Sequence, residues 1–192
     1  MNRPPRKPRN LDRRTREYLT EPEVGLLVDA AKKAGRHRHR NATMILLAFR
    51  HGLRVSELVS MKWGQVDLDQ GLLHVFRLKS GTPTTHPLGG SEIRSLRKIK
   101  RENNTSRFVF NSERKGPMTP STFQKIVTRA GTLAQLPFPV HPHMLRHATG
   151  YKLANDGHDT RAIQLYLGHK NIQHTVAYTV LSPRRFKTFF ND

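Results

Sequence analysis

From Thr20 onward the apolar residues recur at helical intervals, and this recurrence, interrupted once by a stretch of alternation, confines the chain to a mainly helical fold. Thr20-Glu-Pro-Glu has the spacing of a capping box and leads into Val24, Leu27, Val28 and Ala31, one face of a first helix. A second helix is expected after Asn41, with Met44, Ile45, Ala48 and Phe49 inward and an end near Gly52. A third is expected from Val55 to Lys62, with Leu58 and Met61 inward.

The interruption is Leu72 to Leu78 and Thr84 to Leu88, two extended runs separated by Lys79-Ser-Gly-Thr-Pro, which has the composition of a turn. A helix with Ile93, Leu96 and Ile99 follows, then a short strand from Arg107 to Phe110. Next comes a helix capped by Thr119, with Pro120 in its first position and Phe123, Ile126 and Val127 inward. After Leu136-Pro-Phe-Pro-Val140 the pattern predicts helices over Pro142 to Asn155, Asp159 to Leu167, and Asn171 through Tyr178, with Gly157 and Gly168 as stops. The fold class is mainly α with a small antiparallel β-sheet, one core and no repeat. Neither a P-loop nor a dinucleotide fingerprint is present.

Residues 1–17 are rich in Lys, Arg and Pro and nearly devoid of large apolar side chains, so they read as a flexible basic arm ahead of one domain at 18–192. Such an arm is either a solvated tail or a DNA contact. Lys and Arg total 34 against 14 Asp and Glu, a formal charge of +20, so the expected partner is a polyanion. Nucleic acid fits because each neutralised phosphate releases counterions. A membrane surface would also attract this charge, but the basic residues are spread through the folded part as well as the tail and no long basic amphipathic stretch is present. The longest apolar run, Met44 to Phe49, is far short of the ~20 residues that span a bilayer. The N-terminus also lacks the apolar core of a secretory signal. With no cysteine, disulfides and thiolate metal sites are excluded, which agrees with a cytoplasmic protein.

Three cationic segments carry candidate chemistry: His51-Gly-Leu-Arg-Val-Ser-Glu-Leu58, His143-Met-Leu-Arg-His147 and Leu167-Gly-His-Lys170, the last followed by Tyr178. His143 and Arg146 share one face of a helix and can meet the same anion, and Arg54 opens a helix. A phosphodiester undergoing displacement needs its non-bridging oxygens neutralised, a nucleophile in line and a proton for the leaving oxygen. Two arginines, two histidines, a lysine and a tyrosine supply these without metal or other cofactor. The arginine fork suits paired phosphate oxygens, whereas Lys79 in its turn is a mobile donor suited to protonating a leaving oxygen. Plainer readings stand beside these: Arg54 paired with Glu57 on a helix surface, and Tyr178 as an ordinary core residue. His141, His143 and His147 make a poor metal site because no Cys accompanies them and their neighbours are strongly cationic, and Arg36-His-Arg-His-Arg40 because it has no acidic partner.

The order of these segments, Gly-Leu-Arg-Val-Ser-Glu-Leu, a hairpin-turn lysine, His-x-Leu-Arg-His, Leu-Gly-His, then Tyr, resembles the tyrosine recombinase and phage-integrase family across roughly residues 18–190. Within it, His141-Pro-His-Met-Leu-Arg-His147, Thr84-Thr-His-Pro-Leu88 and Tyr166-Leu-Gly-His-Lys-Asn-Ile-Gln-His-Thr-Val176 look like the short bacterial recombinases that invert fimbrial promoter switches. The resemblance implies the tyrosine recombinase catalytic fold, with Arg54 and Arg146 as phosphate clamps, His143 in proton transfer and Lys79 as general acid toward the 5′-oxygen. It makes His169 a transition-state stabiliser and Tyr178 the nucleophile, with Glu57 and His147 in support.

It further implies double-stranded DNA as substrate, inversion or integration and excision as outcome, a tetramer on two sites, and a nucleoid-associated bacterial location. Larger family members carry an N-terminal helical domain that clamps DNA; here the basic arm stands in that place, so accessory DNA-bending proteins are expected. Phe186, Phe189 and Phe190 are expected to dock on a neighbouring protomer or on their own domain. Two other readings stay open: a non-catalytic DNA-binding regulator retaining the fold, and an RNA-binding module, which explains the charge but not the ordered side chains.

Overall fold

The structure, a computed structural model, describes residues 16–77, 82–103, 105–114 and 116–180. Helix α1 (Glu21–Lys33) starts as the capping box requires: the Glu23 carboxylate accepts from the Thr20 backbone N–H at 2.7 Å and from its hydroxyl at 2.9 Å. It buries Val24, Leu27, Val28 and Ala31. Helix α2 (Arg38–Arg50) begins at Arg38 rather than after Asn41, because its first turn is basic and shows no apolar period. From Ala42 to Phe49 it is buried at all but one position, as befits a central helix packed by α1 and by the helices described below.

Helix α3 (Val55–Val59) stops short of the expected Lys62. Residues 61–62 are extended instead and lead into a single 3-10 turn at Trp63–Gln65: the Trp63 N–H donates to the Arg107 carbonyl at 3.0 Å and the Val109 N–H to the Met61 carbonyl at 2.9 Å. The strand expected over 107–110 is thereby reduced to one bridge, Lys62 opposite Phe108. The sheet runs β1 (Val66–Asp67), β2 (Leu72–Val75), β3 (Thr84–Pro87), all antiparallel, with Leu73 opposite His86 and Val75 opposite Thr84. The expected hairpin is present with shorter strands, and β1 is too short to show as alternation. Residues 78–81, where the turn carrying Lys79 is expected, lie outside the described residues.

Helix α4 (Gly90–Glu102) lays Leu96 and Ile99 on the core, and α5 (Pro120–Leu133) is capped by the Thr119 hydroxyl, which accepts from the Thr122 N–H at 3.2 Å. Helix α6 (Pro142–Asn155) has the expected bounds. Helix α7 (Thr160–Leu167) is capped by the Asp159 carboxylate, which accepts from the N–H groups of Arg161 and Ala162, both at 2.9 Å. Helix α8 (Gln173–Val180) starts two residues beyond Asn171. Gly157 and Gly168 stop α6 and α7 with φ of +91° and +63°, left-handed values that favour glycine.

One large core joins α1 to α6 and the sheet around Leu27, Met44, Ile45, Leu58, Leu96, Phe110, Phe123 and Leu145. The expectation of a single core needs correction. Ala154, Ile163, Leu167 and Tyr178 form a second, small cluster with Tyr151, Leu153 and Tyr166, where α7 and α8 close against the end of α6. Buried Arg146 and Thr149 lie between the two and donate to main-chain carbonyls at Gly52, Leu167 and Phe49. Residues 1–15 and 181–192, hence most of the basic arm and Phe186, Phe189 and Phe190, lie outside the described residues. Arg16, the last basic residue of the expected arm, pairs with Glu23 and lies 5.0 Å from the Phe138 ring. No helix among the described residues is long and apolar enough to cross a membrane.

Candidate active site

The site is built on the sharp turn between α2 and α3. Gly52 adopts φ +56°, and a Cβ there would sit 2.4 Å from a Leu167 methyl, so this turn packs directly on α7. Two residues later Arg54 opens α3. Its guanidinium donates to Glu57 Oε1 at 2.8 Å, and its backbone N–H to Glu57 Oε2 at 2.9 Å. The pair weighed from sequence therefore exists, but not as a surface pair: the Glu57 side chain is 2% exposed and that of Arg54 26%. Glu57 also accepts from Arg77 Nη1 at 2.8 Å, so one buried carboxylate holds two arginines.

Arg146 is among the largest fully buried side chains of the molecule. One terminal nitrogen donates to the Gly52 carbonyl and the other to the Leu167 carbonyl at 2.7 Å, which fixes the guanidinium between the Arg54 turn and the end of α7. Burial, with Arg54 and Arg77 near by, brings its pKa down to about 10, so the group stays charged at neutral pH. His143 lies one turn before Arg146 on α6 with its ring exposed at the surface of the site; partial desolvation by the atoms packed around its inner side and the Arg146 charge lower its pKa, which favours the neutral ring. Its ring meets that of His147 edge-on, with centroids 4.4 Å apart.

Tyr178 is 4% exposed and packs against α6 where Gly150 leaves room; a Cβ on Gly150 would stand 2.6 Å from the phenol ring. Its hydroxyl lies 2.8 Å from His147 Nδ1. Burial raises the phenol to about 12 against the lowering pull of Arg146, while burial and the neighbouring His143 and Arg146 take His147 down to about 4. At neutral pH a protonated phenol thus faces a neutral imidazole able to accept its hydrogen. His169, in the turn after α7, is pushed to about 3 by burial and then by Arg146 and Arg54. Its Nδ1 is 2.8 Å from the hydroxyl of Thr175, a fully buried residue.

Arg54, Arg146, His143, His147, His169 and Tyr178 are therefore gathered at one place, with Glu57 beneath them. Beside them Arg54, Arg161, His169, Lys170 and His174 line an open depression of about 660 Å³. A roomier hollow, about 760 Å³, lies at the far end of α2 among Lys32, Arg36 and Arg40, about 20 Å along the helix. There Arg40 is spent on the Asn111 carbonyl at 2.7 Å and His37 on Glu113 at 3.2 Å, so it does not belong to the site. Sequence reasoning missed Arg77, Thr175 and Gly150. No local pattern marks Arg77, whose partner Glu57 is 20 residues away.

The fold can be set beside known proteins. The structure superposes on that of XerA recombinase with a TM-score of 0.79 at 24% identity, covering 98% of this chain and 68% of that one. It superposes on XerH site-specific recombinase bound to its difH substrate with a TM-score of 0.75 at 22% identity, covering 85% and 50%. The architecture is thus that of the tyrosine recombinase catalytic domain. In sequence the chain is 41% identical over 180 residues to the type 1 fimbriae regulatory protein FimB of Escherichia coli strain K12, covering 91% of this chain and 90% of FimB. Residues 17–185 match the phage integrase family. The chain belongs to that family and is a site-specific recombinase of the tyrosine type.

Proposed function

We propose that this chain cuts and rejoins double-stranded DNA through a covalent bond between Tyr178 and the scissile phosphorus. The observation that carries the reading is the Tyr178 hydroxyl on His147, beside a buried, charged Arg146. The phenol oxygen attacks phosphorus, the P–O bond to the 5′-oxygen breaks, and the phenol proton passes to a neutral histidine, His147 or His143. Arg54 and Arg146 neutralise the non-bridging oxygens, with His169 as a further donor, and Lys79 supplies the proton to the 5′-oxygen. Rejoining reverses these steps with a 5′-hydroxyl, so the phosphodiester energy is conserved without ATP. Because Tyr178 is buried, cleavage requires the hydroxyl to leave His147 and swing toward the DNA.

Residues 18–192 act as the catalytic domain, and 1–17 as a basic arm on the DNA backbone. Four protomers on two sites, accessory DNA-bending proteins and inversion of the intervening segment complete the reading, in the bacterial cytoplasm on the nucleoid. The test is denaturing electrophoresis after mixing the protein with nicked DNA carrying repeats from its own genomic surroundings. A heat-stable protein–DNA adduct from wild type, absent with Tyr178→Phe, is the expected result. Tight, salt-sensitive binding without any adduct would make the chain a DNA-binding regulator instead.

A further inference from the structure

Arg77 follows β2, and its side chain is wholly buried. Nη1 donates to Glu57 Oε2 at 2.8 Å and Nη2 to the Tyr166 carbonyl. Its stem lies flat on Gly168, where a Cβ would come within 2.5 Å of Nε; the next residue is His169. Nε itself has no hydrogen-bond partner among the described residues. Burying a cation this way is a poor route to stability, since well-packed apolar residues usually serve as well. Its neighbours explain it better. Glu57 divides its oxygens: Oε1 takes Arg54 Nη1, and Oε2 is held by Arg77 and the Arg54 backbone N–H. Among the described residues the Arg54 side chain bonds only to Glu57, through one nitrogen, and keeps its other donors open.

We propose that Arg77 is a positioning residue of DNA cleavage: by occupying Glu57 Oε2 it stops Arg54 from closing a two-pronged pair with Glu57, leaving the Arg54 fork for the scissile phosphate. A carboxylate freed of Arg77 would draw in the second Arg54 nitrogen, because paired N–H donors on paired oxygens are the favoured geometry. Through the Tyr166 carbonyl and Gly168 the same guanidinium ties the hairpin strand leading to Lys79 to the turn holding His169. This rests on Arg54 acting as a phosphate clamp.

The test is single-turnover cleavage of nicked DNA by full-length Arg77→Met and Arg77→Lys, with DNA affinity and melting temperature measured in parallel. Arg77→Met should cleave on the order of 100-fold more slowly at unchanged DNA affinity, the cost of a misplaced catalytic group. Arg77→Lys keeps a charge on Glu57 and should recover part of the rate. Phosphorothioate substrates add a readout that a merely structural residue would leave alone: the rate ratio of the two sulfur diastereomers should change in Arg77→Met, because Arg54 is re-aimed. Wild-type cleavage by Arg77→Met, or an unchanged diastereomer ratio with rate falling in step with melting temperature in both variants, overturns the inference. Absence of any wild-type adduct would instead overturn the cleavage reading beneath it.

Discussion

Arg146 and Tyr178 are both buried, but they are held by cores of very different size. Arg146 stands on α6 with Met144 and Leu145 of the main core, and two carbonyls from separate segments fix its guanidinium. Tyr178 belongs to the small cluster with Ala154, Ile163 and Leu167, and among the described residues its hydroxyl bonds only to His147. A group that must neutralise charge gains from being fixed in advance, because no reorganisation is then needed in the transition state. A nucleophile that must leave one partner for another gains from a support that opens cheaply, and few buried apolar contacts give low local stability.

The hardest blow to this contrast is Arg146→Ala. It removes the central cation and strips the Gly52 and Leu167 carbonyls of their donors. Adduct formation should fall by on the order of 100- to 1,000-fold, as on losing a preorganised donor. The orphaned carbonyls should together lower stability by a few kcal/mol, at about 1–3 kcal/mol each. Denaturant melts and adduct assays on the same preparation check both; an intact melt would mean that Arg146 does not bridge the two cores.

Truncating one isoleucine in each core separates them more finely. Ile45→Ala in the main core should destabilise the whole domain by about 2–5 kcal/mol, seen as a uniform loss of hydrogen-exchange protection. Ile163→Ala should concentrate its effect on the amides of α7 and α8 and slow adduct formation, with a smaller shift of the global melt. Equal shifts from both would show that the clusters melt as one unit.

Acid probes the same boundary. His147 and His169, both beside Tyr178, have folded pKa values of about 4 and about 3, below the usual 6.5 of the unfolded chain. Between those values the unfolded chain binds more protons than the folded one. Their contribution to stability is therefore complete above pH 6.5 and is lost as pH falls, down to about 4 for His147 and about 3 for His169. Protection of α8 amides should weaken from pH 6.5 downward, ahead of those of α2, and a flat profile between pH 7 and 5 would contradict the neutral histidines.

The contrast also follows how much was legible in the sequence. Helices α1 and α5 could be read because cap residue, proline and apolar period agree at Thr20 and at Thr119-Pro120, and α6 because Pro142 marks its first position and Gly157 its stop. The start of α2 was hidden by its basic first turn, and the 107–110 strand was overestimated because one bridge is all that residues 61–63 offer it. Ordered motifs were enough to nominate Arg54, His143, Arg146, His169 and Tyr178, which the fold gathers. Arg77 stayed hidden because its meaning lies in contacts to Glu57, Tyr166 and Gly168, each distant in sequence. The second core was missed because α7 and α8 have the same period as helices of the first, and a period does not say which body receives the apolar face.

The gentlest comparison removes one helix cap from each region. Thr119→Ala takes a hydroxyl from the start of α5, and Asp159→Ala takes a carboxylate from the start of α7. Each loss should cost about 1 kcal/mol. In α5, whose 14 residues lie on the main core, that should appear as a drop of about 2–4 °C in the global melting temperature. In α7, only 8 residues long, the same energy should raise local opening, with exchange of α7 and α8 amides about fivefold faster and the global melt nearly unmoved. Asp159 touches neither Arg146 nor Tyr178 in any bond described, so a change in adduct rate with Asp159→Ala would report the mobility of the shelf under the nucleophile. If Asp159→Ala and Thr119→Ala instead lower the melt alike with uniform exchange, Tyr178 rests on the same rigid body as the arginines, and its release from His147 has to come from the DNA.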